Sequence, residues 1–123
     1  MALLNITRED RVKGMTYPVD WYPCLVKEHK AKVSKAGDST NHTYNLEILE
    51  GKFKGGIIYC QFNTKAMGMI VPFLEGLGFD IPEDEDLQFD PEAPVGRKCL
   101  VYNGNRMYND RPQNDPKEFR PLT

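Results

Sequence analysis

The feature that most constrains the fold of this chain is a period-two alternation that changes phase within one segment. From Trp21 to Val26 the inward-type side chains fall at even positions, whereas by Val33 they fall at odd positions. Successive side chains of a β-strand point to opposite faces, so a change of phase requires one extra residue. The sequence therefore predicts a long first strand with a bulge or bend between Lys27 and Lys30, as a small coiled barrel requires.

The same alternation predicts four more strands. Turn residues separate the first three strands into a meander, and the pair Asn103-Gly104 predicts a hairpin turn between the fourth and fifth strands. A last short strand is expected around Lys117 to Arg120. The side chains expected to face inward are Tyr44, Leu46 and Ile48 in the second strand, Ile58, Cys60 and Phe62 in the third, and Cys99 and Val101 in the fourth, with Ile57 expected to point outward.

Between the third and fourth strands the apolar spacing changes to three and four residues. Met67, Ile70 and Leu77 follow this spacing, and Asn63 or Thr64 can cap the start of a helix. The apolar stripe is typical of a helix that packs on a core. Because a proline at position 72 interrupts the pattern, we expect one helical segment composed of two short turns.

This order of elements predicts the fold class. Five short strands with a helix between the third and fourth are typical of the OB-fold, a mainly β, Greek-key barrel whose outer face binds oligonucleotides and oligosaccharides. The alternative is an SH3-like or other small barrel, which usually lacks a helix of this length. A chain of 123 residues is one domain by size. We expect an N-terminal arm at residues 1–19 and an OB-fold domain at residues 20–123.

The residues do not assemble a recognisable catalytic or metal site. The sequence has no Gly-x-Ser-x-Gly motif and no phosphate-binding glycine loop, and Cys24, Cys60 and Cys99 lack the CxxC spacing of zinc or redox sites. His29 and His42 are expected at or near surface turns, solvated or lightly hydrogen-bonded. We therefore expect a non-enzymatic protein without a cofactor or a metal, with the three cysteines reduced and buried.

Cations and aromatic residues on the outward positions point to nucleic acid instead. Binding of single strands requires cations that follow the phosphate backbone and aromatic faces on which bases stack. Although the formal net charge is −2, lysines are concentrated in the first strand and the turn that follows it. The expected nucleic-acid-binding residues are Trp21, Lys27, Lys30, Lys32, Lys35, Lys52, Lys54, Tyr59, Gln61, Lys98, Tyr102, Arg106 and Tyr108.

Other interpretations of these residues stay open. Lysines on exposed strands keep a protein soluble and protect sheet edges, Trp21 is also suited to the core, and Tyr59 or Tyr102 could cap the barrel. The negative net charge does not exclude binding, because charges act within about 8–10 Å at physiological salt. A near-neutral chain does indicate moderate affinity per domain, or several copies acting along one strand.

Three segments resemble a family of small phage and prophage proteins, some of which are described as single-stranded DNA-binding proteins. The segments are "DWYPCLVKEHKAKVSKAGD", "LEILEGKFKGGIIYCQFN" and "LEGLGFDIPEDEDLQFDPEAPVGRKCLVY". The shared elements are an aromatic strand start that ends in Ser-Lys-Ala-Gly-Asp, a Glu-Gly-x-Phe-Lys-Gly turn, Leu-Gly-Phe-x-Ile-Pro after the helix, and Val-Gly-Arg-Lys-Cys before the fourth strand. They span residues 20 to 102, and none is a catalytic motif.

The resemblance implies an OB-fold accessory protein of phage replication or recombination that coats single-stranded DNA. The resemblance also implies a location in an infected bacterial cell. Because no apolar run reaches the length of about 18 residues that a membrane span needs, we expect the protein to be cytoplasmic. The alternative is an OB-like module that binds a phage or host protein through an exposed strand edge, without nucleic acid. The sequence leaves open whether the protein forms homo-oligomers and which replication or recombination proteins are its partners.

Overall fold

The long first strand forms, and it bends where the alternation changes phase. In the computed structural model, which describes residues 2–122, strand β1 spans Asp20–Val33 and shifts register against its neighbour between Val26 and Glu28. Lys27 is thus the extra residue, at the start of the interval in which the bend is predicted. Beyond it, His29 lies on the inner side of the strand, opposite Tyr44.

β1 lies at the centre of a five-stranded antiparallel sheet with the order β3-β2-β1-β4-β7. The sheet curls into a half-barrel, and its two edge strands, β3 and β7, approach each other across the open side. A separate two-stranded hairpin, β5-β6, leaves the sheet between β4 and β7. The strands after β1 are β2 Thr40–Ile48, β3 Ile57–Asn63, β4 Lys98–Asn103, β5 Arg106–Tyr108, β6 Arg111–Gln113 and β7 Pro116–Pro121.

The inward positions predicted from the alternation are confirmed. The side chains predicted to face inward in β2, β3 and β4 are all buried, and they form one apolar cluster with Tyr22, Cys24 and Val26 of β1. The prediction for Ile57 is wrong, because this residue is 8% exposed. Its backbone N–H donates to the Tyr17 hydroxyl, so the N-terminal segment covers the start of β3.

The segment predicted as two short helical turns joined at Pro72 forms two short helices. A 3₁₀ helix spans Thr64–Ile70, and the helix α2 spans Val71–Gly76. The Asn63 side chain accepts a hydrogen bond from the backbone N–H of Lys65 and caps the first of them. Pro72 lies in the first turn of α2, where the missing N–H has no intrahelical partner to lose, and Ile70 and Val71 before it keep helical φ and ψ angles. The break in helical geometry lies earlier, at Ala66, which has a φ angle of −135° and a ψ angle of 48°.

The prediction of a hairpin turn at Asn103-Gly104 is wrong. β4 pairs with β1 and β7, whereas β5 pairs only with β6 and turns at Asn109 and Asp110, which have φ angles of 50° and 63°. Asn103 is fully buried, and its side-chain amide donates to the backbone carbonyl of Tyr17. Long-range partners therefore hold this asparagine at the end of β4 instead of in a turn.

The first residues include a helix and a core residue. Helix α1 spans Arg8–Lys13 and begins with a reciprocal capping box between Thr7 and Asp10. Tyr17 is fully buried, and its ring packs edge-on against that of Phe53 at a centroid distance of 5.4 Å. The segment predicted as an arm thus contributes a large side chain to the core.

The three cysteines, Cys24, Cys60 and Cys99, are buried and unpaired, as predicted. Burial raises the pKa of each thiol, that of Cys99 to about 12, so all three stay protonated near neutral pH. Within residues 2–122, no cluster of His, Cys, Asp and Glu side chains has the size and arrangement to hold a metal ion. Nor do these residues form a helix with the length and apolar character of a membrane span.

Candidate nucleic-acid interface

The cross-strand register places predicted residues of β1 and β3 on one outward side of the sheet. Lys30 lies opposite Thr43, which in turn lies opposite Gln61. Because neighbouring strands are about 4.8 Å apart, Lys30 and Gln61 are separated by about 10 Å across β2. We call this side the outer face, and its members are Glu28, Lys30, Lys32, Asn41, Thr43, Asn45, Tyr59, Gln61 and Asn63.

Polar contacts link neighbouring side chains across the outer face. The Asn45 amide donates to a Glu28 carboxylate oxygen over 3.4 Å, and the Thr43 hydroxyl donates to Gln61 over 3.4 Å. Lys30 Nζ lies 3.1 Å from the same Glu28 oxygen, although both side chains are largely exposed. Tyr59 is 59% exposed, so one side of its ring is open to solvent. The face therefore combines exposed cations, amide groups and an accessible aromatic ring.

The turn between β1 and β2 extends the outer face at one end. Lys32 and Lys35 are exposed there. Lys65, from the 3₁₀ helix, forms an ion pair with Asp38 in the same turn, and this hydrogen bond lowers the pKa of the Asp38 carboxyl. The pair neutralises one charge of each sign, so Lys32 and Lys35 supply the positive charge of this end.

A cleft on the open side of the half-barrel brings Arg106 next to β3. It has a volume of about 530 Å³ and lies between β3, the 3₁₀ helix, the segment that carries the β5-β6 hairpin, and β7; we call it the β3–β7 cleft. Tyr59, Gln61, Arg106 and Lys117 all line it. Tyr108, on the same hairpin as Arg106, is 58% exposed and does not line the cleft.

A second concave surface brings together the predicted Lys27, Lys52 and Lys54. It has a volume of about 720 Å³ and lies between α1 and the turn that joins β2 to β3; we call it the basic groove. Lys27 Nζ lies 2.7 Å from a carboxylate oxygen of Glu47, and this contact raises the pKa of Lys27. The charged residues of the groove are Arg8, Glu9, Lys13, Lys27, Glu47, Lys52 and Lys54.

Sequence reasoning missed Arg8 and Lys13, because the first nineteen residues show little periodicity. A local pattern could have found their helix. Thr7 followed three residues later by Asp10 has the spacing of a capping box, which marks a helix start. It would have predicted α1, although not its position beside the turn between β2 and β3.

The structure does not bring Trp21, Tyr102 and Lys98 to the outer face. Trp21 packs against Tyr102 on the β1-β4 part of the sheet, with ring centroids 5.2 Å apart, and the Arg120 guanidinium lies 4.6 Å from the Trp21 ring centre. Lys98 lies opposite Leu25 in the same part of the sheet. At about 3.3 Å per residue, Trp21 is about 30 Å along β1 from the lysines beyond the bend.

The sequence predicts that His29 and His42 lie in or next to surface turns, solvated or lightly hydrogen-bonded. The turn location and the solvation are wrong for His29, which lies within β1 and is hydrogen-bonded. Its side chain is 6% exposed, and its Nδ1 lies 2.5 Å from a Glu92 carboxylate oxygen. Its Nε2 lies 2.8 Å from His42 Nδ1, and the two rings are stacked. Burial, and less strongly the neighbouring His29, lowers the pKa of His42. The loop between α2 and β4, which contains Glu92, thus contacts β1, and Tyr44 of β2 donates to the backbone carbonyl of Pro91 in the same loop.

No model of a known protein family matches the chain, and no curated protein sequence matches it significantly.

Proposed function

We propose that this protein is a non-enzymatic, single-stranded DNA-binding protein with an OB-fold. The strand order supports the fold, because the first strand of an OB-fold pairs with the second and the fourth, as β1 does with β2 and β4. With β7 counted as the fifth strand, the β5-β6 hairpin belongs to the loop between the fourth and fifth strands. The helical segment then lies between the third and fourth strands.

The observation that carries the proposal is the meeting of Tyr59, Gln61 and Arg106 in the β3–β7 cleft. In an OB-fold, oligonucleotides bind on the face of strands two and three, between the loop after strand one and the loop after strand four. Here the second of these loops supplies Arg106 to the cleft that the exposed Tyr59 also lines. A base that stacks on this ring would gain about 1–3 kcal/mol.

The lysines of the outer face would hold the phosphate backbone without reading sequence. Lys30 and Lys32 lie on the face itself, and Lys35 extends it at the turn. Their long side chains are exposed, so each can follow a flexible strand. Because contacts between lysine and phosphate carry no base information, the expected binding is independent of base sequence.

We further propose that the protein serves phage replication or recombination inside an infected bacterial cell. This part of the proposal depends on the resemblance of residues 20–102 to phage and prophage proteins. The same resemblance makes replication or recombination proteins the expected partners.

An interaction module without nucleic-acid binding is the second candidate. Within the described residues, β3 and β7 each pair with one strand only, so both present an open edge. A partner could add a strand to such an edge. The aromatic and basic character of the adjoining cleft favours DNA over this alternative.

The test is the salt dependence of binding to a fluorescently labelled oligothymidylate, measured by anisotropy. The binding constant of the wild-type protein should fall linearly with salt on a log–log plot, with a slope of about −0.7 for each phosphate neutralised. K30Q/K32Q should therefore reduce the slope by about 1.4. Y59L should weaken binding by about 1–3 kcal/mol at every salt concentration, because it removes a stacked ring.

The matched control is R11Q/K98Q, which also removes two exposed cations. Neither Arg11 nor Lys98 lies on the outer face or lines the β3–β7 cleft. The log–log salt slope of R11Q/K98Q should equal that of the wild-type protein. Absence of oligonucleotide binding at low salt would refute the proposal and favour the interaction module.

A further inference from the structure

The basic groove is formed by two parts of the chain that are distant in sequence. One wall is α1, which contributes Arg8 and Lys13, and the other is the turn after β2, which contributes Lys52 and Lys54. Lys27, the bulge residue of β1, adds a fifth cation. Against these five cations the lining has only two carboxylates, so the groove is locally basic although the chain has a formal net charge of −2.

A buried tyrosine fixes α1 in this position. The Tyr17 hydroxyl donates to the backbone carbonyl of Val12 in α1 and accepts from the N–H of Ile57, the first residue of β3. There is little room between this tyrosine and the turn, since a Cβ added to Gly56 would lie 2.3 Å from the hydroxyl oxygen. The two walls are therefore held together through one side chain, and the cations of α1 face those of the turn.

Only one of the groove's cations is tightly paired. Lys27 contacts Glu47 at 2.7 Å, and Glu9 is the remaining carboxylate of the lining. No ion pair involves Arg8, Lys13, Lys52 or Lys54 among the described residues. Like charges brought together in a concave surface repel each other, and a bound anion relieves that repulsion.

The groove is continuous with the outer face. Along β2, the outward residues are Asn41, Thr43, Asn45 and then Glu47, which lines the groove. At about 3.3 Å per residue this path is about 20 Å long. A strand that lies along the outer face therefore reaches the basic groove at the end opposite the β1-β2 turn.

We infer that the basic groove is a second phosphate-binding site, and that it holds the backbone of the same DNA strand where that strand leaves the outer face. The inference rests on the proposed function for the identity of the ligand. The site is distinct from the base-stacking region, since its lining contains no aromatic side chain. In this site Arg8 and Lys13 of the N-terminal segment bind phosphate groups of the strand.

The first test uses inorganic tripolyphosphate, which carries the phosphate chemistry without bases, and ¹⁵N-labelled full-length protein. The backbone amides of Gly51 and Gly55, which line the groove, should shift on titration. R8Q/K13Q should abolish these shifts. R11Q should keep them, because Arg11 is exposed on the same helix but does not line the groove. If the wild-type spectrum shows no shift at either glycine, the site does not exist.

The second test repeats the oligothymidylate salt titration with the same variants. R8Q/K13Q should reduce the log–log slope by about 1.4, whereas R11Q should leave it unchanged. An unchanged slope for R8Q/K13Q, with normal wild-type binding, would overturn the inference and leave the proposed function intact. If the wild-type protein responds to tripolyphosphate but binds no oligonucleotide, the proposed function fails, and the assignment of the groove to a DNA strand fails with it.

Discussion

At the scale of single residues, the Tyr17 hydroxyl joins the N-terminal segment to the start of β3. It accepts from the N–H of Ile57 over 3.0 Å, in a buried environment. Y17F would leave that N–H without a partner, at a cost of about 1–3 kcal/mol. Urea unfolding followed by circular dichroism should show this loss as a lower midpoint.

Y22F is the control for this substitution. The Tyr22 hydroxyl donates to the backbone carbonyl of Pro18, an exposed residue that water can reach after the change. The expected loss is about 0.5–1.5 kcal/mol, and it should be smaller than that of Y17F. Equal losses in the two variants would mean that the N–H of Ile57 finds another partner.

His42 should make the stability depend on pH. Burial lowers the pKa of His42 below its usual value of 6.5, so the folded protein binds fewer protons than the unfolded chain just below neutral pH. The free energy of unfolding therefore rises with pH in this window. The part of it that neutral His42 contributes is lost as the pH falls from the usual pKa through the lowered pKa. Between about pH 7 and pH 5, the wild-type protein should lose more stability than H42N.

Asparagine suits this comparison because its amide can donate to or accept from His29 Nε2, as His42 Nδ1 does over 2.8 Å. Glu92 and Tyr44 remain beside His29 in both proteins, so their effects are common to both. Urea titrations at a series of pH values provide the measurement. Parallel stability curves for the two proteins would contradict the assignment of the proton to His42.

At the scale of elements, α2 packs against β7 through a close approach of backbones. A Cβ added to Gly76 would lie 2.6 Å from the Phe119 Cβ and 2.9 Å from the Phe119 carbonyl carbon. The two elements would have to separate, so G76A should destabilise the protein by about 1–3 kcal/mol. In G68A the new methyl group meets no atom within 4 Å, so its stability should lie within about 0.5 kcal/mol of wild type.

The unfolding midpoints of these two variants test how tightly α2 packs against β7. If G76A were as stable as G68A, α2 would be free to move away from β7. The Phe73 and Phe119 rings, whose centroids are 5.1 Å apart, would then not fix its position.

The strands could be predicted from sequence to the extent that local period determines them. The alternation identified the inner side chains of β1 to β4, because each of these strands has one face in the core and the other toward solvent. The prediction of a turn at Asn103-Gly104 is wrong because a contact distant in sequence determines the conformation there. Asn103 is fixed by Tyr17, which is distant in sequence, and no local pattern contains that contact.

The candidate site was predictable only in part, for the same reason. Parity showed that Tyr59, Gln61 and Lys30 point outward, but the presence of Arg106 in the cleft that Tyr59 lines depends on where the β5-β6 segment lies in the fold. Parity also placed Trp21 outward, but the side of the sheet does not give the distance between two residues of one strand, which grows by about 3.3 Å per residue. Distances across a sheet require the register, which the sequence pattern leaves undetermined.

At the scale of the whole molecule, the charges are separated in a way that the net value of −2 conceals. The five cations of the basic groove lie in one concave surface. The acidic run Glu83, Asp84, Glu85 and Asp86 lines neither that groove nor the β3–β7 cleft. At physiological salt the Debye length is about 8 Å, so the local field at each surface, and not the total charge, should govern DNA binding.

Neutralising the acidic run tests this separation. E83Q/D84N/E85Q/D86N removes four negative charges and makes the formal net charge positive. If the local field governs binding, oligothymidylate affinity at about 0.15 M salt should change by less than about twofold. K30Q/K32Q removes only two charges and should still weaken binding roughly 10- to 30-fold at about 0.1 M salt, since each lysine contributes about 0.7 to the salt slope. A tenfold gain in oligothymidylate affinity of the neutralised variant would mean that the acidic run competes with DNA for the lysines of the outer face and the basic groove.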